Sequence, residues 1–165
     1  MIKSIVWHAR LWAVLGVIAG GSAYALSQES YEHARSAFTF AERKGWTDAL
    51  IHAKRTENKS LEQLITWLYL MDADSGANFN EIVRFIEQNP GWPEQKKLRI
   101  RAEMALRDET VDDEAVLQWL NANPPITGVG KLALAEALKR REGDENRIRD
   151  LVRDGWRNGD FDESR

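Results

Sequence analysis

The 165-residue chain contains no cysteine, only four prolines and only three histidines. Without cysteine no disulfide framework can hold the fold, and no thiol can pair with a histidine as a nucleophile. The net charge of −3 argues against a nucleic-acid partner. No apolar run reaches the roughly 20 residues that a membrane-spanning helix needs. The proportions of hydrophobic (43%) and charged (30%) residues are typical of one soluble globular domain.

The N-terminal stretch differs in composition from the rest of the chain. Lys3 and Arg10 precede an apolar run at 11–19, which is followed by small residues at 20–22 and the triplet Ala23-Tyr24-Ala25. This order is typical of a secretory signal peptide. We therefore expect residues 1–25 to be a signal peptide cleaved after Ala25, and residues 26–165 to be an exported domain without stable membrane insertion.

Beyond residue 25 the apolar residues recur at steps of three and four, which is the spacing of a helix with one buried face. Breaks at Gly45, Gly76, 90–93, 124–125 and Gly143 separate helices of about 10 to 15 residues. Two patterns resemble capping boxes, in which a side chain bonds to the free N–H groups at a helix start. They are Ser60 with Gln63 and Asn78 with Glu81. The pattern predicts an all-α fold.

An internal repeat joins these helices into pairs. Phe85, Asn89, Pro90 and Leu98 precede Trp119, Asn123, Pro124 and Leu132 by 34 positions. A helix, an Asn-Pro stop and a second helix form a unit that must stack on neighbours to bury its apolar face. The repeat predicts a right-handed α-solenoid of stacked helix pairs. The period is that of the tetratricopeptide repeat, but the Trp-x-x-Leu-Gly-x-x-Tyr signature of that family is missing from both copies.

Three sequence patterns superficially suggest a ligand site. His33 and His52 lie far apart in the sequence and lack the spacing of a zinc motif, so we predict no metal site there. The segment 72–83 has its glycine one position too early for a calcium loop and a valine where the bidentate glutamate belongs, which predicts a polar inter-helix loop ending in the Asn78 cap. The Gly128-Val129-Gly130 segment has dinucleotide-fingerprint spacing but follows a Pro-Pro pair instead of a strand. There, small residues that let helices approach closely are the better interpretation.

No nucleophile motif is present, and no spacing singles out a pair of carboxylates for glycosidase chemistry. We accordingly assign no catalytic, cofactor-binding or metal-binding residue. Tryptophans remain to be explained, because a flat indole can stack on a sugar. We expect most to be core residues with a satisfied N–H, Trp92 and Trp119 above all. The tryptophans beyond residue 25 are Trp46, Trp67, Trp92, Trp119 and Trp156.

Several motifs occur in an order that is specific as a set. They are Asn89-Pro90-Gly91-Trp92-Pro93, the run 98–106 (LRIRAEMAL), Trp119, Pro124-Pro125-Ile126-Thr127, the run 134–138 (LAEAL), Trp156-Arg157 and Asp160-Phe161. In this order they resemble the N-terminal superhelical, U-shaped domain of periplasmic soluble lytic murein transglycosylases. The likeness runs from about His33 to Phe161. It implies a long α-solenoid joined, in that family, to a lysozyme-like domain that cleaves peptidoglycan glycan strands.

The resemblance implies a non-catalytic scaffold that ends before any catalytic domain and helps to position murein strands in the periplasm. Glu163-Ser164 imitates the catalytic Glu-Ser of the family, but it directly follows superhelix motifs, so we assign it no catalytic role. Two alternatives stay open. One is a stand-alone periplasmic helical-repeat module that binds other proteins. The other is a small complete glycosidase.

Overall fold

Residues 27–107 and 110–159 are described by a computed structural model, and these residues form eight α-helices and no β-strand. The prediction of an all-α fold is confirmed. The predicted signal peptide at 1–25 and the Glu163-Ser164 pair lie outside the described residues. The helices are α1 (Gln28–Glu42), α2 (Trp46–Arg55), α3 (Lys59–Met71), α4 (Phe79–Gln88), α5 (Gln95–Ala105), α6 (Asp113–Ala122), α7 (Gly128–Arg140) and α8 (Glu145–Asn158).

Side-chain caps mark the starts of six of the eight described helices. The capping box predicted at Asn78 and Glu81 is confirmed, because the Asn78 side chain accepts from the Glu81 N–H at 2.9 Å and the Glu81 carboxylate accepts from the Asn78 N–H at 3.0 Å. The box predicted at Ser60 is wrong. Asn58 caps α3 instead, with its side chain accepting from the Leu61 N–H at 3.1 Å. Ser60 therefore lies inside the first turn of α3.

The helices pack in a regular order. Consecutive helices contact each other, except for the pair α5 and α6. In addition, the backbones of α1 and α3, of α3 and α5, and of α5 and α7 approach closely. The even-numbered helices meet through side chains, as Phe79 of α4 meets Trp119 of α6. The odd-numbered helices thus form a continuous row.

Two large clusters of buried side chains follow this row and meet at α3. Ile65 of α3 packs with alanines of α1 and α2, among them Ala37, Ala49 and Ala53. Leu70, near the end of the same helix, packs with the larger cluster formed by residues of α4, α5, α6 and α7. Because α3 contributes to both clusters, this helix joins the two parts of the core.

Both copies of the 34-residue repeat contain the predicted helix, Asn-Pro stop and second helix. The stop has the same chemistry in each copy. Asn89 ends α4, and its Nδ2 donates to the Phe85 carbonyl at 2.9 Å. Asn123 ends α6, and its Nδ2 donates to the Trp119 carbonyl at 3.1 Å. In each copy the same carbonyl also accepts from the backbone N–H of the Asn, at 3.0 and 2.8 Å. The repeated Asn therefore closes the last turn with two bonds, and the following proline cannot continue the helix.

Candidate functional site

The densest cluster of buried charge lies on α5, where Arg101 and Glu103 are 6% and 0% exposed. The Arg101 guanidinium reaches the end of α3. Its Nη2 donates to the Asp72 carbonyl at 2.9 Å and the Ala73 carbonyl at 3.2 Å, and its Nε donates to the Leu70 carbonyl at 3.4 Å. A cation at the C-terminal end of a helix complements both its free carbonyls and its dipole.

Glu103 makes the opposite contact at the start of α7. Its carboxylate accepts from the backbone N–H groups of Ile126 (2.9 and 3.0 Å) and Thr127 (2.7 Å) and from the Thr127 hydroxyl (2.7 Å). Thr127 is itself the N-cap of α7 and accepts from the Gly130 N–H at 2.9 Å. The carboxylate is fully buried and bonded to fixed donors, so its chemistry here is helix capping, and no cleft brings a substrate to it.

Gly130 provides the space that this carboxylate occupies. A Cβ atom added at Gly130 would lie 2.7 Å from the Glu103 Cδ atom and closer still to Oε2. Gly128 begins α7 and follows a loop instead of a strand. The interpretation of these glycines as a place of close helix approach is confirmed, and the residue that Gly130 accommodates is Glu103.

The acidic side chains of the loop between α3 and α4 are bonded to other side chains of the protein. Lys44 Nζ lies 2.9 Å from Asp72 Oδ1 and 2.8 Å from Asp74 Oδ2, and the Trp46 indole N–H donates to Asp72 Oδ2 at 2.9 Å. Burial acts to raise the pKa of Asp72, but the hydrogen bonds from Lys44 and Trp46 outweigh it and hold that pKa below its ordinary value. The prediction of a polar loop ending in the Asn78 cap is confirmed.

The two histidines that are separated in the sequence meet in the structure. The Nδ1 atoms of His33 in α1 and His52 in α2 lie 3.0 Å apart. The two residues are distant in the sequence but are neighbours in the structure. The Phe40 ring stacks on His52 with 5.4 Å between centroids. A separation of 19 residues places the pair on two antiparallel helices joined by a short turn, which local motif spacing cannot reveal.

The tryptophans divide by environment. Trp119 is a core residue, 4% exposed, with its ring edge-on to Phe79 at 5.5 Å, and Trp92 packs between Trp67 and Phe85. We expected the indole N–H of Trp119 to have a hydrogen-bond partner. This prediction is wrong, because no acceptor among the described residues reaches its Nε1. Trp156 stands apart, since 71% of it is exposed on α8.

A shallow depression of about 330 Å³ lies along one side of α1 and is lined by Glu32, Arg35, Ser36, Thr39 and Phe40. Within residues 27–107 and 110–159, no group of three or more His, Cys, Asp or Glu side chains is arranged to hold a metal ion. No helix in these ranges combines the length and apolar character that membrane crossing requires.

Sequence reasoning missed the roles of Arg101 and Glu103, although both lie in the run 98–106. The available signal was that Leu98, Ala102 and Ala105 place these two charges beside a buried stripe, where a charge requires a partner. Comparison of the chain with known protein families, with curated proteins and with solved structures gives no match.

Proposed function

We propose that the chain is a non-catalytic helical scaffold segment of a peptidoglycan lytic transglycosylase, which helps to position murein glycan strands in the periplasm. The proposal rests on where the fold places the motifs that resemble the superhelical domain of that family. The segment 89–93 closes the α4 end, the run 98–106 contains Arg101 and Glu103, and 124–127 leads into α7. These motifs therefore hold the joints between helices, which determine the shape of a scaffold.

The proposed architecture is a right-handed α-solenoid of stacked helix pairs. Two observations support it: the unbroken contact row from α1 through α3 and α5 to α7, and the identical Asn stop in both repeat copies. In a solenoid each unit contacts only its neighbours, so an extended surface forms along which a polymer can lie. A glycan strand is such a polymer.

Trp156 is the best candidate for a direct contact with sugar. It is 71% exposed, whereas Trp119 is buried and Trp46, Trp67 and Trp92 are half-buried. An exposed indole presents a flat apolar face with a polar edge, which suits stacking on a sugar ring. Cationic side chains at Arg153 and Arg157 flank it in the sequence.

Sedimentation of the purified chain with isolated sacculi tests the proposal. We expect the chain to pellet with sacculi and to release no anhydro-muropeptides. The Trp156→Ala variant should lose several-fold in binding, whereas Ile51→Ala, which removes an exposed side chain without a stacking face, should bind as wild type. The proposal fails if the chain stays in the supernatant at every concentration, and a scaffold role is wrong if anhydro-muropeptides appear.

A stand-alone periplasmic module for protein binding is the second candidate. The observation that favours it is the outer side of α8, where Val152 and Trp156 lie one turn apart and are 37% and 71% exposed. Exposed apolar residues at helical spacing suit docking of another protein surface. Capture of one protein partner through this side, combined with no binding to sacculi, would favour this candidate over the scaffold.

A further inference from the structure

We propose that His33 and His52 form a two-imidazole site for a divalent transition-metal ion of the copper, nickel or zinc class. The site is independent of the proposed scaffold function. It rests on the contact between α1 and α2, where the two Nδ1 atoms lie 3.0 Å apart.

The separation of the nitrogens matches that of two ligands on one ion. Zinc and similar ions bind imidazole nitrogen at about 2.0–2.1 Å, so two such ligands lie about 2.8–3.4 Å apart for bond angles between 90° and 109°. Without an ion, the Nδ1–H group of one ring donates a hydrogen bond to the Nδ1 atom of the other. On binding, the proton of the donor ring would move through solvent to its Nε2 atom, and a small rotation of each ring would turn both Nδ1 lone pairs toward the ion.

The surroundings hold both rings in place before any ion arrives. Ala37 of α1 and Ala49 and Ala53 of α2 are fully buried between the two helices, which fixes the helices at a short distance. Phe40 stacks on His52 at an interplanar angle of 15° and restricts its ring plane. Such packing lowers the conformational cost of bringing two ligands together.

Glu29 lies near the other nitrogen of the His33 ring. Its Oε1 is 4.0 Å from His33 Nε2, which is too far for a hydrogen bond but places a negative charge beside that nitrogen. With its proton on Nε2, His33 accepts the hydrogen bond at Nδ1. The His33 side chain is 21% exposed, so solvent reaches the ring and an ion can enter.

The ligand type selects the class of ion. Imidazole nitrogen suits copper, nickel and zinc, whereas magnesium and calcium require oxygen ligands. Affinity should be highest for Cu²⁺, which is the strongest binder of the first-row divalent series. Two protein ligands leave coordination positions for water, so the site should bind ions reversibly.

Isothermal titration of the untagged full chain with Cu²⁺, Zn²⁺ and Mg²⁺ at neutral pH tests the site. We expect one Cu²⁺ or Zn²⁺ per chain and no Mg²⁺. His33→Asn and His52→Asn should each weaken binding by more than about tenfold, since even outer partners of a metal contribute 10- to 100-fold. The control is His8→Asn, which changes the third histidine of the chain and should bind as wild type.

Nitrogen NMR of the wild-type imidazoles keeps the test valid if a variant fails to fold. Zn²⁺ should shift the Nδ1 resonances of both His33 and His52 while the ring Nε2 resonances move less. The proposal is overturned if neither Nδ1 resonance responds to Zn²⁺, or if only His8→Asn abolishes binding. The contact would then be a proton-sharing hydrogen bond alone.

Discussion

At the scale of single residues, the two buried charges of α5, Arg101 and Glu103, are both bonded to the ends of neighbouring helices. Arg101 bonds three carbonyls after and within the last turn of α3, and Glu103 bonds two N–H groups at the start of α7. A buried charge without partners would cost several kcal/mol, whereas free helix termini supply donors and acceptors of the right sign. Gly130 belongs to this arrangement because it leaves room for the carboxylate.

Gly130→Ala should destabilise the chain even though it places alanine in a helix. Helix propensity alone predicts a gain of up to about 1 kcal/mol. The added Cβ, however, would lie 2.7 Å from Glu103 Cδ, and moving this fully buried carboxylate from its donors should cost about 1–3 kcal/mol. Chemical denaturation followed by circular dichroism gives the free energy of unfolding.

Gly155→Ala is the matched control for that substitution. Gly155 also lies in a helix, but its added Cβ would meet Lys131, Gly128 and Leu132 atoms only at 3.5–3.6 Å, which is ordinary van der Waals contact. This variant should gain roughly 0.5–1 kcal/mol of stability. The role assigned to Gly130 is wrong if both variants change stability in the same direction by similar amounts.

At the scale of helices, α5 is the element that joins its neighbours in the odd-numbered row. It contacts α3 on one side and α7 on the other, and its charged residues bond the facing ends of both. Ion pairs at the surface likewise join α6 to α7. Arg140 of α7 holds Asp113 of α6 through paired hydrogen bonds of 2.6–2.9 Å, which keeps the pKa of Asp113 below its ordinary value.

Arg101→Met should loosen the joint between α5 and α3. Met retains the apolar stem but removes the donors to three carbonyl groups. A hydrogen bond from a charged group contributes roughly 1.5–3 kcal/mol, and removal of the desolvated guanidinium charge offsets part of the sum of the three bonds. We expect a loss of about 2–3 kcal/mol in the free energy of unfolding. Hydrogen exchange should show faster opening of the α3–α4 loop before global unfolding.

Lys97→Met provides the comparison, because Lys97 is an exposed residue of the same helix. A surface substitution of this kind should change stability by less than about 0.5 kcal/mol. Equal effects of the two substitutions would show that the bonds of Arg101 to the end of α3 contribute nothing to stability.

At the scale of the whole molecule, α8 is the last described helix and carries two exposed apolar side chains. Leu151 of α8 packs on the core, whereas Val152 is 37% exposed and Trp156 is 71% exposed. In repeat proteins each unit buries its apolar surface on a neighbouring unit. An exposed side of this type favours contact with another surface.

We expect the purified chain to self-associate through α8 as its concentration rises. Sedimentation velocity should show a concentration-dependent increase in mean sedimentation coefficient, and Trp156→Ala should suppress it by removing most of the exposed apolar area. Tyr31→Ala, which removes an exposed aromatic ring from α1, should leave the association unchanged. A wild-type chain that stays monomeric at high concentration, with fully protected amides throughout α8, would contradict this expectation.

The sequence by itself determined the elements of this fold, because the information for them is local. Apolar spacing of three and four residues marked the helices, and the Asn78 box and the repeated Asn-Pro stops marked their ends within a single turn. The prediction of a capping box at Ser60 was wrong, although it rested on equally local information. Asn58 stands two residues earlier in an extended conformation that suits an N-cap, and a four-residue pattern does not distinguish the two positions.

Only the tertiary structure decided which side chains meet. The His33–His52 contact, the bond between Lys44 and Asp72, and the bonds of Arg101 and Glu103 to neighbouring helices join residues 19 to 31 positions apart. Such pairs depend on the rotation of each helix about its axis and on the length of each turn. Those quantities follow from the packing of all the buried side chains together, so no local spacing in the sequence contains them.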